Sequence, residues 1–89
     1  MKTPSIEVTY RRGKAVAAYI VLGGGSRARV QRTCEEAPGL IVDYARGGQP
    51  IGLELSTPRT TTLAAVNRVL RSIGVEPLRR VDFDPLRVA

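Results

Sequence analysis

Two carboxylates, Asp43 and Glu54, are the side chains whose spacing could support chemistry. Both fall on one face of a predicted hairpin, opposite or diagonal to each other, with Cβ atoms about 5–8 Å apart. Such a pair could bind a metal ion or share general acid and base roles. The alternative is that they are surface charges paired with Arg27 or Arg29 of a neighbouring strand. The chain has no histidine and no third carboxylate in register, so we predict no catalytic or metal-binding residue.

Three other groups of residues have simpler structural explanations. The run Gly23–Ser26 contains the small residues of a phosphate-binding loop, but it precedes a strand and lacks the Lys-Ser/Thr ending. Cys34 is followed by two glutamates, which disfavour a reactive thiolate. The three threonines at 60–62 are explained as helix-capping residues. We therefore predict no cofactor.

The positive charge favours a polyanionic partner as an alternative. The net charge is +6 and the isoelectric point is about 10.5, but the Arg, Ala, Gly and Pro content is also typical of G+C-rich coding DNA. Arg27 and Arg29, with Arg11 or Arg46 nearby, could follow a phosphate backbone. Aromatic residues make up only 4% of the chain, too few for an interleaved stacking surface, and no helix-turn-helix is predicted.

Size and cysteine content limit the class of protein. The 89 residues are predicted to form a single domain covering residues 1–89. The single cysteine excludes an intramolecular disulfide, and small domains without such a cross-link often dimerise. The longest apolar run, residues 15–22, is too short to span a bilayer. We therefore expect a cytoplasmic protein without membrane contact, and a homodimer.

A β-hairpin over residues 39–55 should position the two carboxylates. Its arms alternate around a Gly47-Gly48 turn, as expected of two paired strands with one buried face. The predicted core residues of the two arms face one another: Leu40, Val42, Tyr44, Ile51, Leu53 and Leu55. Asp43, Gly52 and Glu54 fall on the opposite face.

The rest of the predicted sheet precedes this hairpin. Ile6, Val8 and Tyr10 alternate with polar residues, which predicts a half-buried strand. Residues 15–22 form an unbroken apolar run and are placed centrally, because such strands are usually covered on both faces. Residues 27–33 predict a polar edge strand with Ala28 and Val30 inward, and residues 34–38 a loop.

The C-terminal third changes its periodicity from two to 3.6, which predicts an amphipathic helix over residues 60–74. Its apolar stripe comprises Leu63, Val66, Val69, Leu70 and Ile73. Asn67, Arg68, Arg71 and Ser72 fall on the polar side, and Gly74 is suited to end the helix. Residues 75–89 predict an irregular tail. The fold class is α+β: a hairpin meander of about five antiparallel strands with the helix packed on one face.

The second face of the central strand is the predicted interaction surface. If the helix covers Ala18, Ile20 and Leu22, then Ala17, Tyr19 and Val21 form an apolar stripe with a charged rim on the other side. The alternative is that the tail folds back over this stripe through three apolar residues: Leu78, Phe83 and Leu86.

Residues 5–56 resemble a known family. The motif residues are Tyr10, the run 18–22 including Tyr19, the run 39–44 ending in Asp43-Tyr44, a glycine turn, and the run 52–54, which begins with Gly52 and ends with Glu54. This combination resembles the bacterial family known as domain of unknown function 2283. The resemblance implies a bacterial protein with this fold and no settled activity. It also implies a small partner protein encoded nearby, in an arrangement like a toxin–antitoxin pair.

Residues and resemblance together predict a non-catalytic protein–protein interaction module. A nucleic-acid-binding module based on the sheet arginines is the first alternative. An enzyme centred on Asp43 and Glu54 is the second.

Overall fold

The computed structural model describes residues 5–23 and 29–87. These residues form an antiparallel five-stranded sheet followed by helical segments. The strands are β1 (Ser5–Arg11), β2 (Lys14–Val21), β3 (Val30–Ala37), β4 (Leu40–Ala45) and β5 (Pro50–Leu55). The helical segments are α1 (Leu63–Ser72), the 3-10 turn η1 (Val81–Phe83) and α2 (Asp84–Arg87). The predicted α+β class is confirmed.

The strand order is β1-β2-β5-β4-β3, so β5 is the central strand. The predicted hairpin is present as β4 and β5, with Leu40 opposite Leu55 and Val42 opposite Leu53. Gly47 and Gly48 both have positive φ in its turn, a conformation that glycine adopts without steric cost. β2 is an interior strand but not the central one.

The hydrophobic core lies on one face of the sheet. Ile20, Leu53 and Val42 are paired neighbours on three adjacent strands, and none is exposed to solvent. Val66, Val69 and Leu70 of α1 belong to the same buried cluster. The apolar stripe that the 3.6-residue period predicts therefore contributes to the same buried cluster as these strand residues.

Local capping sets the ends of α1. The Thr62 hydroxyl accepts a hydrogen bond from the Ala65 amide at 3.1 Å, which makes Thr62 the N-cap. At the other end Gly74 has a positive φ, and the Val75 amide donates to the Leu70 carbonyl at 2.8 Å. These contacts satisfy backbone groups that a helix end otherwise leaves unpaired.

The edge strand β3 begins later than predicted and extends further. It covers Val30–Ala37, so the loop predicted at 34–38 is wrong, and Cys34 lies in the strand opposite Val42. Val30, predicted inward, is 52% exposed. Two register shifts interrupt β3, and such bulges hide the period of two from a reading of the sequence. Ala28 lies outside the described residues.

A second irregularity lies beside Tyr10. The register of β1 against β2 shifts between Thr9 and Tyr10. Ile6 and Val8 pack against the core as predicted, but Tyr10 is 51% exposed. The extra residue is Val16 of β2, so β1 keeps its own alternation and Tyr10 stays opposite the buried Ala15, but its side chain is not buried as predicted.

Asn67 joins the tail to the helix. Its amide nitrogen donates to the Leu78 carbonyl at 3.1 Å, and its amide oxygen accepts from the Leu78 amide at 2.8 Å. Asn67 is buried, so its predicted place on the polar side is wrong. Leu78, Phe83 and Leu86 lie in the same cluster as α1. The alternative that they cover the other face of the sheet is therefore wrong.

The tail is more ordered than the predicted irregular segment, since it contains η1 and α2. The Asp82 carboxylate accepts hydrogen bonds from the backbone amide and the guanidinium of Arg79. The Arg79 guanidinium lowers the pKa of Asp82 through these hydrogen bonds. In the described ranges, no helix has the length and apolar character needed to cross a membrane.

Replacing Asn67 with Ala is expected to lower the free energy of unfolding by about 2 kcal/mol or more, because the buried amide and carbonyl of Leu78 lose their partners. Urea denaturation measures this change. Ser72→Ala on the same helix is the control and should shift stability by less than about 0.5 kcal/mol. Equal effects of the two substitutions would contradict the anchoring role of Asn67.

Candidate functional site

The outer face of the sheet, on the side opposite the core, carries most of the residues singled out from the sequence. None of the elements in the described part of the chain packs over it, since α1 and the tail lie in the core cluster. We define this outer face by the residues that share it across the strands: Glu7, Ala17, Tyr19, Val21, Thr33, Ile41, Asp43, Gly52 and Glu54.

A hydrogen bond across three strands organises the outer face. The hydroxyl of Tyr19 on β2 donates to Oδ2 of Asp43 on β4 at 2.9 Å. Strand β5 lies between β2 and β4, so the phenol must cross it. The residue of β5 at the crossing point is Gly52, which pairs with Val21 on one side and Asp43 on the other.

Gly52 makes this crossing possible because it has no side chain. A Cβ atom there would lie 1.7 Å from the Tyr19 hydroxyl oxygen and 2.2 Å from Cζ. Both distances are far below van der Waals contact, so any side chain at position 52 would displace the ring. The glycine is required here for close approach and not for an unusual φ.

Asp43 has two hydrogen-bond donors from the sheet itself. Oδ2 accepts from Tyr19, and Oδ1 accepts from the Thr33 hydroxyl at 2.9 Å. The expected pairing with Arg29 is absent from the described part of the chain, and Arg27 lies outside it. This bonding gives Asp43 a structural role in connecting β2, β4 and β3.

Asp43 and Glu54 are diagonal neighbours. Asp43 is opposite Gly52, and Glu54 is opposite Ile41, two residues further along β5. The Tyr19 phenol occupies the space beside Gly52, and Glu54 is exposed. Within the residues that the structure describes, no three Cys, Asp or Glu side chains come together as a potential metal site.

The outer face is electrostatically negative around Tyr19. Burial raises the pKa of Tyr19 to about 12, and the hydrogen bond to Asp43 and the charges of Asp43, Glu54 and Glu7 act in the same direction. Each of these negative charges disfavours a phenolate. Tyr19 is therefore a neutral donor held among three carboxylates.

The predicted apolar stripe is assembled on this face. Ala17, Tyr19 and Val21 are all half-buried. Ile41 of β4 is also half-buried and belongs to the same face. The polar end of Tyr19 is bonded to Asp43, so the ring contributes its apolar surface and not a free hydroxyl.

The arginines predicted to contact nucleic acid are not brought together. Arg29 immediately precedes β3, whose first residue pairs with Ala45, so Arg29 and Arg46 lie near the same end of the sheet. Arg11 pairs with Lys14 at the opposite end of β2, about 20 Å away at 3.3 Å per residue. Arg27 lies outside the described residues.

Sequence reasoning identified Tyr19, Asp43, Gly52 and Glu54 as motif residues but missed how they interact. Thr33 was missed as a partner of Asp43, because the register of its strand against β4 was not predicted. The signal that could have found the crossing is a lone glycine inside an apolar strand, which often marks close approach of another group.

Comparisons with protein-family models, curated proteins and solved structures find no match for this chain. The resemblance to domain of unknown function 2283 therefore stays a prediction.

Gly52→Ala is expected to destabilise the protein by about 1–3 kcal/mol, because the added methyl group forces the Tyr19 ring off β5. The same substitution in a Tyr19→Ala background should cost much less, since the ring is already absent. Urea unfolding of the four proteins gives the coupling energy. A Gly52→Ala cost that is the same in both backgrounds would show that the ring does not occupy this position in solution.

Stability should fall as pH rises from about 10 to about 12. The pKa of Tyr19 and that of Tyr44 are both raised from 10.0 to about 12 in the folded protein, so the unfolded chain loses these protons first. Their stabilising effect is complete below pH 10 and is lost as pH rises through the folded values. In Tyr19→Phe, the ultraviolet phenolate signal near pH 12 should shrink and the stability loss should be smaller. An unchanged titration would contradict the assignment.

Proposed function

We propose that this chain is a non-catalytic interaction domain whose outer face binds a protein segment that presents Lys or Arg beside apolar side chains. The observation that supports it is the Tyr19 ring fixed across Gly52 on an uncovered sheet face, among the carboxylates of Glu7, Asp43 and Glu54. We propose that the protein acts in the cytoplasm of a bacterium and that its partner is a small protein encoded nearby.

The apolar part of the outer face has the arrangement of an interface centre. Ala17, Val21 and Ile41 share this face with Tyr19, and each is only half-buried. Aromatic side chains held rigidly at the centre of a patch contribute strongly to binding, because they lose little conformational freedom. The hydrogen bond to Asp43 fixes the ring before a partner arrives.

The charge of the rim determines the chemistry of the partner. The chain as a whole carries a net charge of +6, yet the charges of Asp43, Glu54 and Glu7 all act to raise the pKa of Tyr19, so the charge at this one site is negative. A basic segment would find complementary charges there, whereas an acidic one would be repelled. The proposal therefore commits to a partner with positive charges.

A second copy of this chain is the competing occupant, as the homodimer prediction requires. A two-fold dimer through the outer face would bring the same patch against itself. Glu7, Asp43 and Glu54 would then approach their own counterparts, and like charges across an interface are unfavourable. A different protein with basic side chains therefore complements the carboxylates of the rim better than a second copy does.

Two synthetic strand-forming peptides test this proposal, one alternating lysine with valine and the other alternating glutamate with valine. In a titration followed by nuclear magnetic resonance, the lysine peptide should shift amide signals of β2, β5 and β4 around Tyr19. The glutamate peptide should not. Glu7→Gln with Glu54→Gln should weaken the lysine peptide about three- to tenfold, as expected for the loss of two exposed ion pairs.

Glu76→Gln with Asp84→Asn is the matched control, because it removes the same charge from exposed positions in the tail. It should leave the affinity unchanged. Equal shifts with both peptides, or equal losses in both double variants, would overturn the proposal. Light scattering measures the oligomeric state of the protein alone. A dimer that dissociates on Tyr19→Arg would also contradict the proposal.

A further inference from the structure

A groove on the opposite side of the molecule is lined by three arginines. It lies between α1 and the tail and has a volume of about 580 Å³. Arg68 and Arg71 lie on helix α1, and Arg80 is the residue that precedes η1. The wall also includes Thr62, Asn67 and Phe83, and no residue lining the groove is acidic.

These arginines differ from their neighbour Arg79. In the part of the chain that the structure describes, the only ion pair joins Arg79 to Asp82 at 3.2 Å. Arg68, Arg71 and Arg80 are exposed and have no carboxylate partner there. Like charges three or four positions apart on a helix repel each other, so a bound anion would relieve a repulsion that the folded protein retains.

We propose that this groove binds the phosphate backbone of a nucleic acid. Guanidinium groups form paired hydrogen bonds with phosphate oxygens, which makes clustered arginines suited to this ligand. The groove is open, and its three cations are exposed, so a small phosphorylated ligand would leave much of its surface in water. A polymer supplies several phosphates along the same path.

Recognition in this groove is independent of base sequence. Phe83 is only 2% exposed, so it forms part of the wall and offers no stacking surface to a base. Contacts confined to phosphates position a nucleic acid without reading it. For three phosphates on a single strand, the affinity should depend on salt with a logarithmic slope of about −2.

The test uses the full chain and a fluorescent oligothymidylate of about 20 nucleotides, which exceeds the length that one small domain usually covers. Anisotropy gives the affinity at salt concentrations from about 50 to 200 mM. Arg68→Gln, Arg71→Gln and Arg80→Gln together should weaken binding at least tenfold and make the salt slope shallower by about 2.

A second triple variant has the same overall charge as the first and serves as its control. Arg11→Gln, Arg29→Gln and Arg46→Gln remove the same three charges at the sheet positions and should reduce affinity less than about threefold. Equal losses would overturn the groove and indicate general charge attraction. A larger loss in the sheet variant, or no binding by the wild type at low salt, would also overturn it.

Two further measurements complete the test. Inorganic tripolyphosphate should displace the oligonucleotide only near millimolar concentration, and displacement at micromolar concentration would assign the groove to a free polyphosphate instead. Shifts of the wild-type Arg68, Arg71 and Arg80 side-chain signals on adding the oligonucleotide should confirm the location even if the triple variant is unfolded. Shifts confined to the β4–β5 turn would refute it.

Discussion

The two hydrogen bonds between Asn67 and the backbone of Leu78 are the constraint on which both surfaces of this protein depend. They fix the tail against α1, and Phe83 and Leu86 of the tail belong to the buried core cluster. With the tail placed there, no described element covers the outer face. The same anchoring places Arg80 beside Arg68 and Arg71. One buried asparagine thus leaves one surface open and builds the other.

Charge is separated between these two surfaces. The outer face places three carboxylates around Tyr19, whereas the groove gathers three arginines without an acid. A net charge of +6 describes neither site, because fields at a surface are set by the nearest charges and screened beyond about 10 Å. Overall composition alone would suggest one class of partner, whereas the local arrangement of charges is the basis of two separate proposals.

The sequence was sufficient to predict those elements that a single local pattern determines. The hairpin, the core stripe of α1 and the Thr62 cap follow from alternation, the 3.6-residue period and hydroxyl capping. It was insufficient to predict features that depend on contacts between residues distant in sequence. A register shift in β3 reversed the face of Val30, and Tyr10, beside a second shift in β2, is exposed. The burial of Asn67 depends on a backbone eleven residues away, and the contact of Tyr19 with Gly52 depends on which strands are neighbours.

The core separates the two surfaces, and this decides how binding events combine. Tyr19 reaches outward from β2, while its neighbours Ala18 and Ile20 pack inward with the buried residues of α1. A ligand on either side can influence the other only by moving this close-packed layer, which resists small displacements. Sites without shared contacts usually contribute additively to free energy. The two proposed binding sites are therefore expected to act independently, so neither proposed ligand requires the other to be bound first.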